Sequence, residues 1–187
     1  INFTQIISRD SRNRPEFPTQ GSIFSLETSL SGSILGGNED FHKHVLKLEF
    51  YTPSFWKFVL KSSFDLGLIK PLNSSEGELS IIPFDERFIM GGNGIPYGNM
   101  LRGYPDNSIG PVTSSGSPIG GNMLVRLNTE FRFPFSENPV VYGLFFADIG
   151  NVWDNYYMIE PFRQSRSGGL TLKKSVGVGI RFFMPMI

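Results

Sequence analysis

The sequence predicts an all-β chain, an antiparallel transmembrane β-barrel present in part. Three observations carry this expectation. Several segments alternate apolar and polar residues with period two, which gives a strand two different faces. The composition is rich in Phe, Gly, Ser and Pro, and Ala147 is the one alanine in the chain. The connections between the alternating segments are by turns short and long.

The alternation is clearest from Asn122 to Phe133. Asn122, Leu124, Arg126, Asn128, Glu130 and Arg132 share one face, and Met123, Val125, Leu127, Thr129, Phe131 and Phe133 the other. From Trp56 to Leu68, Trp56, Phe58, Leu60, Phe64, Leu66 and Leu68 oppose Lys57, Lys61, Ser63, Asp65 and Gly67. Val176, Val178, Ile180, Phe182 and Met184 oppose Ser175, Gly177, Gly179 and Arg181. His44–Tyr51, Ser22–Ser31 and Ile1–Ser8 alternate more weakly, and Val140–Val152 is apolar on both faces. Seven strands are expected, over 1–9, 21–31, 43–52, 56–68, 122–133, 140–152 and 173–184. The connections at 53–55 and 134–139 are short. Those at 32–42, 69–121 and 153–172 are longer and rich in Gly, Ser and Asn, and 10–20 is intermediate.

A soluble sandwich also alternates in this way, with its apolar face inward. Strands of roughly 9–11 residues and the short/long rhythm of the connections favour a barrel with its apolar face to lipid. Trp56, Trp153, Tyr51 and Phe133, near strand ends, fit an interfacial girdle. An open edge in lipid leaves backbone groups without partners, and bacterial barrels are mostly even-stranded, so seven strands read as part of a larger barrel. The start at Ile1 and the end just after a strand give the same expectation of a piece of a longer chain.

Charge excludes several functions. There are 17 basic and 17 acidic residues, so no basic track for nucleic acid exists. No cysteine is present, which removes disulfides and thiolate metal sites. No run of about 18 apolar residues forms a transmembrane helix. Glu130 and Asp148 could be imagined as paired hydrolase carboxylates, but no nucleophile arrangement accompanies them. His42 and His44, expected on an external loop, make at most a weak metal site. Gly91–Gly98 is glycine-rich without a following helix, so a tight bend is expected rather than a phosphate cradle. No catalytic residue, metal or cofactor is expected.

The segment Met100–Pro111, MLRGYPDNSIGP, sets one arginine between a leucine and a glycine inside the longest connection. It resembles the Val-Arg-Gly-Phe/Tyr signature on the sixth loop of BamA-type outer-membrane assembly factors. Gly91-Gly92 precede it and Ile109-Gly110-Pro111 follow it as in that family; Leu101 stands for the usual Val and Tyr104 for the usual Phe. Gly120–Phe131, Phe145–Asp154 and Ser175–Pro185 resemble, in order, the family strands after the loop, and FPTQG at 17–21 resembles a turn preceding one of its strands.

That resemblance implies a fold, a place and a role. The seven strands would be the eighth to fourteenth of about sixteen, with residues 1–187 forming part of the transmembrane barrel and the loop at about 69–121 folded inward. The periplasmic POTRA domains and the first and last strands would lie outside this chain. The implied function is folding and insertion of β-barrel proteins into the outer membrane of a Gram-negative bacterium, with no enzymatic step. The implied partners are outer-membrane lipids, unfolded barrel clients and accessory lipoproteins. The alternatives are a TamA-like assembly factor or a two-partner secretion transporter of the same superfamily, and, from another class, a passive porin or ligand transporter.

The resemblance also gives Arg102 partners, Glu130 and Asp148 on the inner wall. Glu130 falls on the polar face by alternation, and an unpaired Asp148 in FFADIG would be costly. The planar guanidinium can grip a carboxylate with two bonds. Gly103 would permit close approach, and Tyr104 would suit a wet, crowded lumen. On this expectation, loss of Arg102 leaves two like charges facing each other and frees the loop.

Overall fold

In the computed structural model, described for residues 1–32, 36, 40–72, 82–94, 98–137, 140–154 and 172–183, seven strands form one antiparallel sheet in chain order. They are β1 (Asn2–Asp10), β2 (Gly21–Ser31), β3 (Phe41–Pro53), β4 (Val59–Pro71), β5 (Met123–Glu137), β6 (Val140–Trp153) and β7 (Lys173–Phe183). Among the described residues the one helical element is a single 3-10 turn, Phe84–Glu86. Every expected strand is present, because each carries the two-faced pattern that a half-exposed pleated surface requires.

Several boundaries differ from those expected. β3 begins at Phe41, so His42 and His44 belong to a strand and not to a loop. Their rings are joined at 2.9 Å, and Thr28 Oγ1 lies 3.0 Å from His44 Nδ1. The turn between β3 and β4 is Ser54–Phe58 rather than 53–55, closed by the Ser54 amide donating to the Phe58 carbonyl at 2.8 Å. β5 continues through Pro134 to Glu137, with a register shift between Pro134 and Ser136. A bulge is one of the few places where a strand accepts proline. Asn138, Ser165 and Met184 lie outside the described residues.

The outer face is apolar. Phe24, Phe50, Leu60, Leu127, Phe145, Val178, Ile180 and Phe182 are all exposed there. At the end marked by the β3–β4 turn, Phe55, Trp56, Phe58, Phe131, Phe133, Phe135 and Phe145 form a chain of rings with centroids 4.9 to 6.3 Å apart. Trp56 and Phe133 thus join an aromatic cluster as a girdle requires. Tyr51 does not: it faces inward and packs with Phe17, Val59, Tyr142 and Leu144. Trp153 is 8% exposed.

The inner face is not uniformly polar. Phe41, Ile69, Leu124 and Val152 point inward near one end of the strands and are buried. Their cover is the connection between β4 and β5. Its residues Ile82, Phe88, Met90, Leu101 and Ile109 complete one hydrophobic cluster with them, and Met90 and Leu101 are 0% exposed. β6 is apolar on both faces because one side is outward, while on the other Val152 meets the loop and Tyr142 and Leu144 pack with Phe17, Tyr51 and Val59. At about 1.5–3 kcal/mol for each fully buried large apolar side chain, this cluster, rather than any single ion pair, dominates docking of the loop.

Candidate functional site

The loop holds its shape through its own backbone. The Ile109 amide donates to the Met90 carbonyl at 2.9 Å, Gly91 donates to Asn99 at 2.9 Å, and Gly92 bridges to Leu101. Gly91 has φ +136°, and a Cβ there would lie 2.4 Å from the Pro105 carbonyl, so the expected bend needs glycine. Asp106 accepts from the Asn93 amide at 2.9 Å, filling the space beside Gly92. Gly110 rests on Val152, and the carbonyl of Pro111 accepts from Ile119 at 3.0 Å.

This scaffold presents Arg102 to the inner wall. Nε donates to Asp148 Oδ2 at 2.7 Å and Nη2 to Asp148 Oδ1 at 2.7 Å, a two-pronged grip; the Arg102 amide adds a third bond to Oδ2 at 3.2 Å. Nη1 donates to Glu130 Oε1 at 2.7 Å. Glu130 and Asp148 are 1% and 2% exposed. In register, Glu130 sits opposite Phe146 and Asn128 opposite Asp148, so one guanidinium reaches both carboxylates diagonally across β5 and β6.

The neighbours of Arg102 complete the fit. Gly103 has φ +81°, and a Cβ there would come within 3.1 Å of Ser175 Cβ on β7, so the close approach expected at this position is real. The Tyr104 hydroxyl donates to the Lys174 carbonyl at 2.9 Å and accepts from the Lys174 amide at 3.2 Å, tying the loop to the β7 backbone. The residues anticipated around the arginine are therefore brought together.

Other participants were not anticipated in this role. The Phe146 ring centroid lies 3.8 Å from the Arg102 guanidinium carbon, a close stack of cation on ring. Asn128 donates its amide to Asp148. Arg132 donates to Glu130 Oε2 from Nε at 2.8 Å and Nη2 at 2.6 Å, and Arg181 donates to Oε1 at 2.9 Å. Arg126 pairs with Asp65 at 2.5 Å and donates to the Met100 carbonyl at 3.0 Å, a second tie between wall and loop. Lys43 pairs with Glu86 at 2.9 Å. Alternation had placed Arg126, Arg132 and Arg181 on the lumen face, but which carboxylate each reaches depends on strand register.

Two expectations change as a result. Without Arg102, Glu130 still faces Arg132 and Arg181, so two bare carboxylates are not left confronting each other. The loop also keeps its apolar contacts, so losing the arginine weakens docking without abolishing it.

The whole arrangement is one of charge-assisted hydrogen bonds and stacking. Among the described residues no group of three or more His, Cys, Asp or Glu is placed to hold a metal.

Comparison with known proteins places this architecture. A crystal structure of BamA from Haemophilus ducreyi lacking POTRA domains 1–3 superposes with a TM-score of 0.76 at 22% identity, over 98% of this chain and 36% of that one. It shares the fold. The outer membrane protein assembly factor BamA of Nitratidesulfovibrio vulgaris (strain Hildenborough) is 31% identical over all 187 residues, which is 21% of its own length. This chain thus spans about a fifth of that relative. The model of the Omp85 superfamily domain matches residues 2–187, and the chain belongs to the Omp85 superfamily.

Proposed function

We propose that this chain forms a wall of an outer-membrane assembly factor that folds and inserts β-barrel proteins. The observation that carries the reading is the 31% identity to an outer membrane protein assembly factor along the entire chain. The docked loop supports it, because a lumen filled by Met90, Leu101 and Ile109 suits a plugged barrel better than an open diffusion channel. In this reading β1 to β7 take the places of the eighth to fourteenth strands of about sixteen, the apolar outer face meets outer-membrane lipid, and POTRA domains belong to the rest of the protein.

The work requires no cofactor and no covalent step. The protein binds unfolded barrel clients and accessory lipoproteins, and the residues of this chain act in support. Arg102, Glu130 and Asp148 pin the loop so that the wall keeps its shape while the barrel opens elsewhere. The test is depletion of the full-length protein in its own bacterium. Outer-membrane barrel proteins should fall in abundance and recover with the wild-type gene. Unchanged levels of correctly folded barrels after depletion would overturn the reading.

A further inference from the structure

The outer face changes character along β3. From the turn end its outward residues run Phe50, Leu48 and Leu46, then His44 and His42. On β4 they run Phe64, Leu66 and Leu68, then Lys70 opposite His42. Thr28 lies opposite His44 on β2, and Gln5 opposite Thr28 on β1. From Thr52 to His42 the strand climbs ten residues, roughly 33 Å of strand and roughly 25 Å of depth at a tilt of about 40°. The apolar band of a barrel is about 25 Å tall. The polar patch therefore sits where acyl chains give way to headgroups, at the end opposite the aromatic cluster of Phe55, Trp56 and Phe58.

Hydrogen bonds order the patch. Side chains two apart on a strand share a face, and His42 Nδ1 lies 2.9 Å from His44 Nε2, while His44 Nδ1 lies 3.0 Å from Thr28 Oγ1. A neutral imidazole has a single N–H. When the Thr28 hydroxyl donates to His44 Nδ1, His44 must donate from Nε2 to His42 Nδ1. His42 must then carry its own proton on Nε2, a donor with no hydrogen-bond partner among the described residues. Lys70, which is exposed, brings a positive charge close enough to act on the His42 ring. A metal does not suit the pair: the facing nitrogens are already hydrogen-bonded, and among the described residues no third His, Cys, Asp or Glu joins them.

We propose that His42 and Lys70 bind the headgroup phosphate of a lipid in the outer leaflet, with the short turns toward the periplasm. His44 and Thr28 are positioning residues that fix the His42 ring and its tautomer. The phosphate accepts a charge-assisted hydrogen bond from His42 Nε2 and a second contact from the Lys70 ammonium. The acyl chains of the same molecule lie on Leu46, Leu48 and Phe50 below, which selects a lipid over a soluble phosphate. A lipid held in this way fixes the depth at which the wall rides in the membrane. The site lies outside the assembly reading and rests on the outer face meeting lipid.

The experiment uses the full-length protein carrying this chain, purified in a non-ionic detergent. Native mass spectrometry counts bound lipid A, either with its phosphates or with them removed. Wild type should hold one phosphorylated copy about tenfold more tightly than His42→Leu does, the loss of one charge-assisted hydrogen bond. The phosphate-free form should not distinguish the two proteins. Thr28→Val should weaken binding of the phosphorylated form severalfold, and Thr28→Ser, which keeps the hydroxyl, should restore it. Equal affinity of wild type and His42→Leu for the phosphorylated lipid, or of wild type for both lipids, overturns the proposal. Displacement of the lipid by equimolar inorganic phosphate assigns the site to a soluble anion and overturns it as well.

Leucine suits a lipid-facing position, so His42→Leu should keep the gel mobility of a folded barrel. Should it not fold, Lys70→Gln reads the same preference, with a severalfold loss expected for the phosphorylated lipid alone. No loss in that variant overturns the pairing of Lys70 with the phosphate. Neither readout depends on client insertion, so failure here is distinct from failure of the assembly reading.

Discussion

The Arg102 guanidinium lies 3.8 Å above the ring of Phe146, and the tip of that ring occupies the space that a side chain on Gly177 would need. Three elements far apart in sequence thus meet at one stack. A cation held over a ring in a partly desolvated site gains about 1–2 kcal/mol. In a double-mutant cycle on the full-length protein, Arg102→Ala and Phe146→Leu should show coupling of about that size. Gly177→Ala should reproduce part of the Phe146→Leu loss, since the new methyl pushes the ring aside. Additive losses for Arg102 and Phe146 would mean the stack contributes nothing.

Arg102→Lys should rescue docking only in part. The ammonium can reach Asp148 or Glu130 but cannot span Asp148 with two parallel bonds while lying flat on Phe146. Its unfolding rate should fall between those of wild type and Arg102→Ala. A rate equal to wild type would show that charge alone suffices.

The inner-wall ion pairs extend beyond Arg102. Alternation alone makes Arg126 one lumenal charge among several, whose removal should cost little. Its 2.5 Å pair with Asp65, which is 5% exposed, argues otherwise. Arg126→Ala leaves a buried carboxylate short of its partner and should cost about 1–3 kcal/mol. The double variant Arg126→Ala/Asp65→Ala should cost less than the sum of the single losses, as chemical unfolding can establish. On the opposite face, Leu127→Arg, well away from the aromatic end of the strands, should cost about 2–4 kcal/mol.

How much of this was legible follows from the kind of information each feature needs. The strands and their faces were readable because alternation is local: Phe131, Phe64 and Phe182 fall on one face, and Arg126, Lys61 and Arg181 on the other. The arginine and its carboxylates were readable through their resemblance to a known loop signature. Inward apolar residues such as Ile69, Leu124 and Val152 were not interpretable, because their partners Met90 and Leu101 arrive from a loop that has no periodicity. The sharing of Glu130 among three arginines depends on register, with Arg181 opposite Tyr142 and Glu130 opposite Phe146. Alternation assigns a face but not a neighbour, and a strand end shifted by two residues was enough to misplace His42.

Orientation in the membrane gives a direct test of the sheet. The turn Ser54–Phe58 lies at one end of the strands, and the connection bearing Gly36 lies at the other. If the short turns face the periplasm, a cysteine at Gly36, which is exposed, should react with an impermeant thiol reagent on whole cells. A cysteine at Trp56, which is 82% exposed, should react only after the outer membrane is breached. Equal labelling of both on intact cells would remove the membrane between them, and with it the reading of the outer face as lipid-facing.

The hydrophobic cluster inside the sheet yields the strongest expected effect. Leu101 precedes the arginine, is 0% exposed, and packs among Met90, Ile109, Leu124 and Val152. Truncating such a residue removes its transfer free energy and leaves a cavity, for about 2–5 kcal/mol in a rigid site. Removing Arg102 strips buried Asp148 of three hydrogen bonds, for about 1–3 kcal/mol, but Glu130 remains held by Arg132 and Arg181 and the apolar contacts of the loop survive. Leu101→Ala should therefore destabilise loop docking more than Arg102→Ala does. The unfolding rate of the full-length protein can rank them. Leu101→Met, which keeps volume, should cost under about 1.5 kcal/mol. If Arg102→Ala proves the more damaging of the two, the ion pair and not the buried cluster holds the loop, and the order of energies argued from burial is wrong.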